Sequence, residues 1–392
     1  MTDLHQSPDG RPRVAFVTDI PTPYMTAVMA SLAERVDLVA IFCSAQGTRG
    51  LDWDLGALPF RHEVVGGLKR RRPVHTGGTD LHLSPRVLFE LVRHRPDAVI
   101  SGAFSIPTTY AALYCAARNV PLIIHSDGTE QSEEPMTRLQ RASRKVLVPL
   151  AADAAANSKP AAERFQQLGF PPERIHLVPH STNLRPFLEA GAGREHGRPG
   201  ELAILSTGRL ISRKGIDHLI RAYAIAASER PGIELRVVGT GPAEPELRQL
   251  ASELGVNVDF AGFVDQPHLP AEYAAAEAYA FPTLRDPFGI VLLEAAASGL
   301  PIVASPHGGA TLDLIEDERN GLVRNPVDHA ALGTALVRLA DDPALRKRLG
   351  DAARAAAGLR TPEAAASAYA TAVSRALSRR TSGSGRFRRG GR

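Results

Sequence analysis

The stretch RDPFGIVLLEAAASGLPIVAS (285–305) carries two carboxylates, Asp286 and Glu294, at either end of an apolar run. AYAFPT before it reads as a strand and LRDP as a turn. A helix is predicted from about Phe288 to Ser298, ended by Gly299 and Pro301. The start of such a helix offers free backbone N–H groups, here those of Phe288, Gly289 and Ile290, and seats a phosphate or diphosphate naturally. Gly289 would let a ligand come close to the backbone. Asp286 lies just before that seat, and Glu294 about 9 Å along the helix axis at ~1.5 Å per residue. A diphosphate with a polyol at each end fits: one carboxylate for a sugar's hydroxyls, the other for a ribose. That is a nucleotide sugar. The plainer alternative is that Asp286 caps the helix and Glu294 faces solvent, although Leu292, Leu293 and Ala295 around Glu294 leave no obvious open face.

TGRLISRKG (207–215) supplies a second constellation. Arg209 and Lys214 stand at a predicted strand-to-helix junction beside Gly208 and Gly215. Two cations next to accessible backbone suit a dianionic leaving phosphate. Arg213 competes for that role, and decoration of a helix start is the alternative. VVGTGPAEPEL (237–247) imitates a dinucleotide fingerprint, but Glu244 holds the third glycine's place. Gly239 and Gly241 are read instead as a tight turn walling a nucleotide pocket. The first strand region, VAFVTDIPTPY, has no glycine loop, which weighs against a dehydrogenase. His176 and His180 are not read as a metal pair, because Pro179 intervenes and the segment looks extended.

Two sheets are needed to position these groups. RVAFVT, VDLVAIFC, DAVISGAF, PLIIHSDG, DAAANS and RIHLVPHS are short apolar runs separated by helical stretches, the pattern of a parallel sheet covered on both faces. EAGAGREHGRPG (189–200) is polar and Gly-rich and reads as a linker. The pattern then restarts with LAILSTGRL, a helical face of Ile216, Leu219, Ile220 and Tyr223, and the strands IELRVVG, FAGFV, AYAFPT and PIVASP. The expected fold class is α/β, with two doubly wound Rossmann-like domains facing across a cleft. The expected divisions are 11–188, the linker 189–200, 201–360, a helix over 361–378 crossing back to the first domain, and a disordered basic tail over 379–392.

The composition agrees. The 392 residues suffice for two or three domains. Cys43 and Cys115, far apart, argue against a disulfide scaffold or zinc site and for a reducing compartment. The N-terminal residues lack an apolar signal segment, and VLVPLAADAAA, broken by Pro149 and Asp153, falls short of a membrane span. The net charge of +4 is uneven: the stretch after Ser378 has six arginines and no acid, so the rest is net negative. A cytoplasmic protein is expected. The basic segments are candidates for peripheral contact with an anionic membrane, with no specific nucleic-acid partner, and the run Lys69–Arg72 reads first as a solvated loop, with an acceptor-facing loop as the alternative.

In order, GRL-x-x-x-KG, VVGTGP, FAGFV, D-PFGIVLLEAAASGLPIVAS, GG and NGLVRNP resemble the retaining glycosyltransferase family four, strongly from about Ala203 to Pro326 and more weakly on both sides. The resemblance implies a GT-B fold and transfer of a sugar from a nucleoside-diphosphate sugar to a hydroxyl acceptor, without a metal or other cofactor. It implies that Arg209 and Lys214 hold the diphosphate, that Glu294 takes the ribose hydroxyls, and that Asp286 with the backbone of Phe288, Gly289 and Ile290 binds the donor sugar. Phe263 and Val264 would meet the base, and His125 of IIHSDG matches the family's histidine near the sugar. There are departures. Asp286 replaces the usual glutamate, Pro21-Thr22-Pro23-Tyr24 replaces glycines after the first strand, and VPHSTN replaces a VPNGVD-type segment. Asp313 comes one residue late after Gly308-Gly309. Most lie toward the half that binds acceptors in this fold, so an unusual acceptor is expected. Rival readings are an epimerase or a phosphorylase on the same fold, and a non-catalytic GT-B binding protein. A glycosidase would also use two carboxylates but leaves the phosphate-binding features unexplained.

Overall fold

The computed structural model describes residues 10–45, 57–70, 81–134, 136–194 and 197–386. The chain forms two compact units, Met1–Asn183 with Thr361–Arg392, and Leu184–Arg360.

The first unit contains β1 (Arg13–Thr18), α1 (Pro23–Ala33), β2 (Asp37–Phe42), β3 (Arg61–Val64), the hairpin β4 (Leu68–Arg70) and β5 (Leu81–Leu83), α2 (Arg86–His94), β6 (Ala98–Gly102), α3 (Ile106–Arg118), β7 (Leu122–Ser126), α4 (Glu130–Glu133), α5 (Arg138–Leu150), β8 (Asp153–Ala156), α6 (Lys159–Gln167) and β9 (Ile175–Leu177). Its main sheet is parallel throughout, in the order β3-β2-β1-β6-β7-β8-β9. The inner strands are buried on both faces, which is why their sequences run apolar without alternation, while the edge strand β3 is largely exposed. On one face Val87, Leu91, Cys115, Leu147 and Phe165 bring α2, α3, α5 and α6 onto Ala15, Val39, Val99 and Ile124. Local signals set the helix ends. Ser105 and Thr137 accept from backbone N–H groups at the starts of α3 and α5, and Asn119 ends α3 in the left-handed region.

The second unit contains α7 (Arg185–Ala190), β10 (Glu201–Thr207), α8 (Ile216–Glu229), β11 (Gly232–Val238), α9 (Glu244–Glu253), β12 (Val258–Gly262), α10 (Leu269–Ala275), β13 (Ala278–Phe281), α11 (Ile290–Ala297), β14 (Ile302–Ala304), α12 (Gly309–Leu314), β15 (Leu322–Val323), α13 (His329–Asp341) and α14 (Pro343–Ala357). Its sheet is also parallel, ordered β12-β11-β10-β13-β14-β15. The order reverses between β10 and β13, and the carboxyl ends of strands at such a switch point are where ligands bind in open α/β sheets. The predicted face of α8 is confirmed, with Ile216, Leu219, Ile220 and Tyr223 all buried.

Two expectations need correction. The chain passes between the units at Asn183, ahead of the expected linker, and the described part of 189–200 is built into the second unit. There Arg194 donates to the carbonyls of Tyr273 (2.7 Å) and Ser298 (3.1 Å), and the Gly197 N–H to Glu277 (2.7 Å). A polar, Gly-rich composition looks like a solvated linker until these carbonyls recruit it. The tail is not disordered from 379: α15 (Pro362–Arg386) continues eight residues past Ser378. Its Tyr369, Ala372 and Val373 pack with Val28, Met29 and Phe16 of the first unit, and Arg379 pairs with the fully buried Asp153. A buried carboxylate on β8 needs a cation, and a helical tail supplies it. Pro149 sits inside the last turn of α5, and no helix among the described residues is long and apolar enough to cross a membrane. Arg71, Arg72 and residues 387–392 lie outside the described residues.

Candidate functional site

The end of β10 leads through Gly208 and Arg209 into a 3-10 turn, Ser212–Lys214, closed by left-handed Gly215. Several bonds tie this turn to the segment after β13. The Leu284 N–H (2.9 Å) and the Thr283 hydroxyl (3.1 Å) donate to the Arg213 carbonyl, and the Arg213 guanidinium donates to the Arg285 carbonyl (2.9 Å). Arg213 is thereby a clamp between two loops. The same clamp carries Lys214 over Asp286, and the two form a largely buried ion pair.

Asp286 is itself fixed by backbone. Its N–H donates to the His307 carbonyl (3.3 Å), its carbonyl accepts from Gly309 (3.0 Å), and the Phe288 carbonyl accepts from Ala310 (2.7 Å). The next helix, α11, opens at Ile290, two residues later than expected, because Phe288 is buried in the core beneath it. Gly289 is the N-cap at φ 97°, and no side chain caps the helix. Asp286 therefore does not cap it, and an uncapped amino end is the kind of place an anion can occupy. Gly289 has a reason other than ligand approach: a Cβ there would lie 2.4 Å from the Phe281 ring.

Glu294 does not face solvent. It is 3% exposed, and its carboxylate accepts from the Tyr273 hydroxyl (3.0 Å). Tyr273 and Tyr279 both reach Thr207 Oγ1 (2.9 Å each), so the end of β10, α10, β13 and α11 share one polar network inside an apolar shell. Burial pushes the Glu294 carboxyl up to about 7, and the Tyr273 bond opposes the rise only in part. Sequence reading missed Tyr273 and Thr207; nothing in their local pattern separates them from ordinary core residues.

The glycine turn after β11 has a packing role. Gly239, at φ 135°, would place a Cβ 1.9 Å from the Gly208 carbonyl oxygen, and Gly241 one 2.2 Å from that of Leu210. The loops after β10 and β11 thus touch backbone to backbone, with Gly208 donating to Val238 (2.9 Å) and Leu210 to Thr240 (3.0 Å). In this structure the two glycines answer to the neighbouring loop. Phe263, 59% exposed, and half-buried Val264 follow β12 at the same sheet edge, and Arg209 is half-buried. Late-coming Asp313 pairs with Arg360 (2.5 Å) within this unit.

His125 is the penultimate residue of β7 in the first unit. Its Nδ1 is bonded to the Tyr369 hydroxyl and the rings stack at 5.7 Å, while burial lowers the imidazole to about 4, so it is neutral at physiological pH. His176 faces Asp153 (3.6 Å) and the His180 ring packs on Tyr24, with no shared focus. Among the described residues one group has metal-ligand geometry, Glu63, Glu90 and His94 in the first unit; Arg93 already donates to both carboxylates there (3.2 and 3.1 Å).

Two doubly wound units, the second with an open helix end and a lysine–aspartate pair at its switch point, define a GT-B protein. Family comparison agrees. The family Glycosyl transferases group 1 matches residues 194–356, and Glycosyltransferase Family 4 matches 24–185. The chain belongs to glycosyltransferase family four. It is 34% identical over 235 residues to a D-inositol 3-phosphate glycosyltransferase of Pseudarthrobacter chlorophenolicus, covering 57% of this chain and 56% of that one. It is 36% identical over 159 residues to a GDP-mannose-dependent phosphatidylinositol monomannoside mannosyltransferase of Corynebacterium glutamicum, 39% and 41% of the two chains. The chain spans about half the length of the curated relatives it matches. Among solved structures, Anabaena HepE in complex with UDP and glucose superimposes with a TM-score of 0.71 at 21% identity, over 93% of this chain and 99% of that one. Sucrose-phosphate synthase from Thermosynechococcus elongatus does so with 0.69 at 21%, over 91% and 96%.

Proposed function

We propose that this protein is a retaining glycosyltransferase that moves a sugar from a nucleoside-diphosphate sugar to a hydroxyl of a saccharide, lipid-linked or small-molecule acceptor. The observation that carries this reading is Lys214, held by the Arg213 clamp against Asp286 beside the uncapped start of α11. A diphosphate on that helix end gains the helix's N–H groups and a partly desolvated ammonium, with Arg209 as second cation. Glu294, on the same helix, takes the ribose hydroxyls. These relieve its burial by donating to the charged carboxylate. The named transferases among its relatives, and the UDP and glucose in the HepE crystals, support the substrate class.

In the proposed reaction the anomeric carbon–oxygen bond to the β-phosphate loosens, and Lys214, Arg209 and the helix end stabilise the departing charge. The acceptor oxygen bonds to the anomeric carbon from the same face, and its proton passes to the leaving phosphate oxygen. No protein nucleophile and no metal are required. His125 is neutral with its Nδ1 bonded to Tyr369, and its role near the donor sugar rests on the family resemblance. Asp286 binds donor-sugar hydroxyls with the carboxylate oxygen that Lys214 leaves available. The peripheral membrane contact expected of the basic segments is a separate matter.

Transfer from a panel of nucleotide sugars is measured in wild type and in Lys214→Ala and Arg209→Ala. Each substitution should lower kcat by about 100-fold or more, the range for removing one charge-stabilising donor; undiminished transfer in either removes that residue from the mechanism. Donor conversion without an acceptor, or dependence on inorganic phosphate, would replace transfer by epimerisation or phosphorolysis.

A further inference from the structure

α2, α3 and α5 lie side by side over one face of the first unit's sheet, with α3 touching both neighbours. A solvated outer helix face is normally polar; here it is not. α2 turns Val87 and Leu91 inward and exposes Leu88, Phe89 (62%) and Val92. α5 buries only Leu147 and exposes Leu139 (78%) and Val146, and between them α3 exposes Leu113. Exposed cations accompany them: Arg86 and Arg95 at the ends of α2, Arg118 on α3, Arg138 and Lys145 on α5. No ion pair among the described residues engages these five. The one acid on the three helices, Glu90, is buried and paired with Arg93. Self-association through this face would set like charges against one another. A surface of phosphate headgroups over acyl chains matches both features at once, because apolar side chains enter the headgroup boundary while cations meet anionic lipid.

We propose that the α2–α3–α5 surface docks this chain onto an anionic lipid bilayer. This stands on the first unit alone and holds whether or not the transfer reading does.

The test is sedimentation of the full chain with vesicles of phosphatidylcholine, alone or mixed with phosphatidylglycerol, without nucleotide or acceptor. Binding should require the anionic lipid. Each surface cation is worth about fivefold in partitioning, the equivalent of ~1 kcal/mol, so Arg86→Glu/Arg138→Glu/Lys145→Glu should weaken binding by about a hundredfold or more. Phe89→Ser/Leu139→Ser, with charge unchanged, should weaken it as well, and Lys347→Glu on α14 should not. Equal binding to neutral vesicles, no binding, or indifference to these changes overturns the proposal, as does a stable solution dimer that fails to bind vesicles. Should the triple variant lose its fold, an environment-sensitive dye on Leu139→Cys reports directly, since Cys43 and Cys115 are buried. Its emission must shift to the blue on anionic vesicles; an unshifted spectrum also overturns the proposal.

Discussion

Replacing Glu294 by Gln removes a charge from the most desolvated position of the candidate site while leaving an amide that still accepts from Tyr273. The folded carboxyl titrates at about 7, against an ordinary value of 4.5. Below 4.5 both states hold the proton and the group costs nothing. Between 4.5 and 7 the unfolded chain releases its proton and the folded chain keeps it, so stability falls as pH rises, levelling off above 7. At ~1.4 kcal/mol per pH unit the cost is under about 1 kcal/mol at pH 5 and about 3 kcal/mol at pH 8. Glu294→Gln should therefore match wild type near pH 5 and melt several degrees higher near pH 8, at ~2–4 °C per kcal/mol for a unit of this size. The same variant should bind nucleoside diphosphate more weakly, because a ribose diol bonds better to a carboxylate than to an amide. Wild-type nucleotide affinity should accordingly strengthen as pH rises through 7. Differential scanning fluorimetry from pH 5 to 8.5, with and without UDP or GDP, measures both effects. A melting difference that does not change with pH would show that Glu294 is not held in the desolvated network. A gain in stability without any loss of nucleotide affinity would detach that network from the ligand.

Other outcomes are expected. Asp286→Asn removes the competitor for Lys214, so diphosphate affinity by calorimetry should rise severalfold while transfer falls. Arg379→Ala leaves the buried Asp153 facing His176 (3.6 Å) without its arginine; denaturant unfolding of the first unit should show a loss of up to about 3 kcal/mol. Gly239→Ala forces a side chain into the left-handed region and onto the Gly208 carbonyl. It should lower the second unit's melting temperature, with a cost of at least ~1–2 kcal/mol, and weaken nucleotide binding through displacement of Arg209.

Much of this protein was legible without coordinates. The buried parallel strands are continuous apolar runs, and α8 carries its inward face at helical spacing, because solvent exclusion and backbone periodicity act locally. Lys214, Asp286 and Glu294 stood out because acids and bases beside glycines and apolar runs are costly to place without a purpose. What only the tertiary structure decided are relations between residues distant in sequence. The Arg213 clamp onto 283–285 brings Lys214 to Asp286 across 72 positions. Tyr273, silent in sequence, holds Glu294 from another helix. Gly239 and Gly289 leave no room for a Cβ because Gly208 and Phe281, remote in sequence, lie against them. The arginine of an apparent tail is the counterion of a strand carboxylate. Hydrophobic pattern is a property of a segment and can be read along it. Charge pairing and close backbone approach are properties of a place, and that place exists only once β10 and β13 lie side by side.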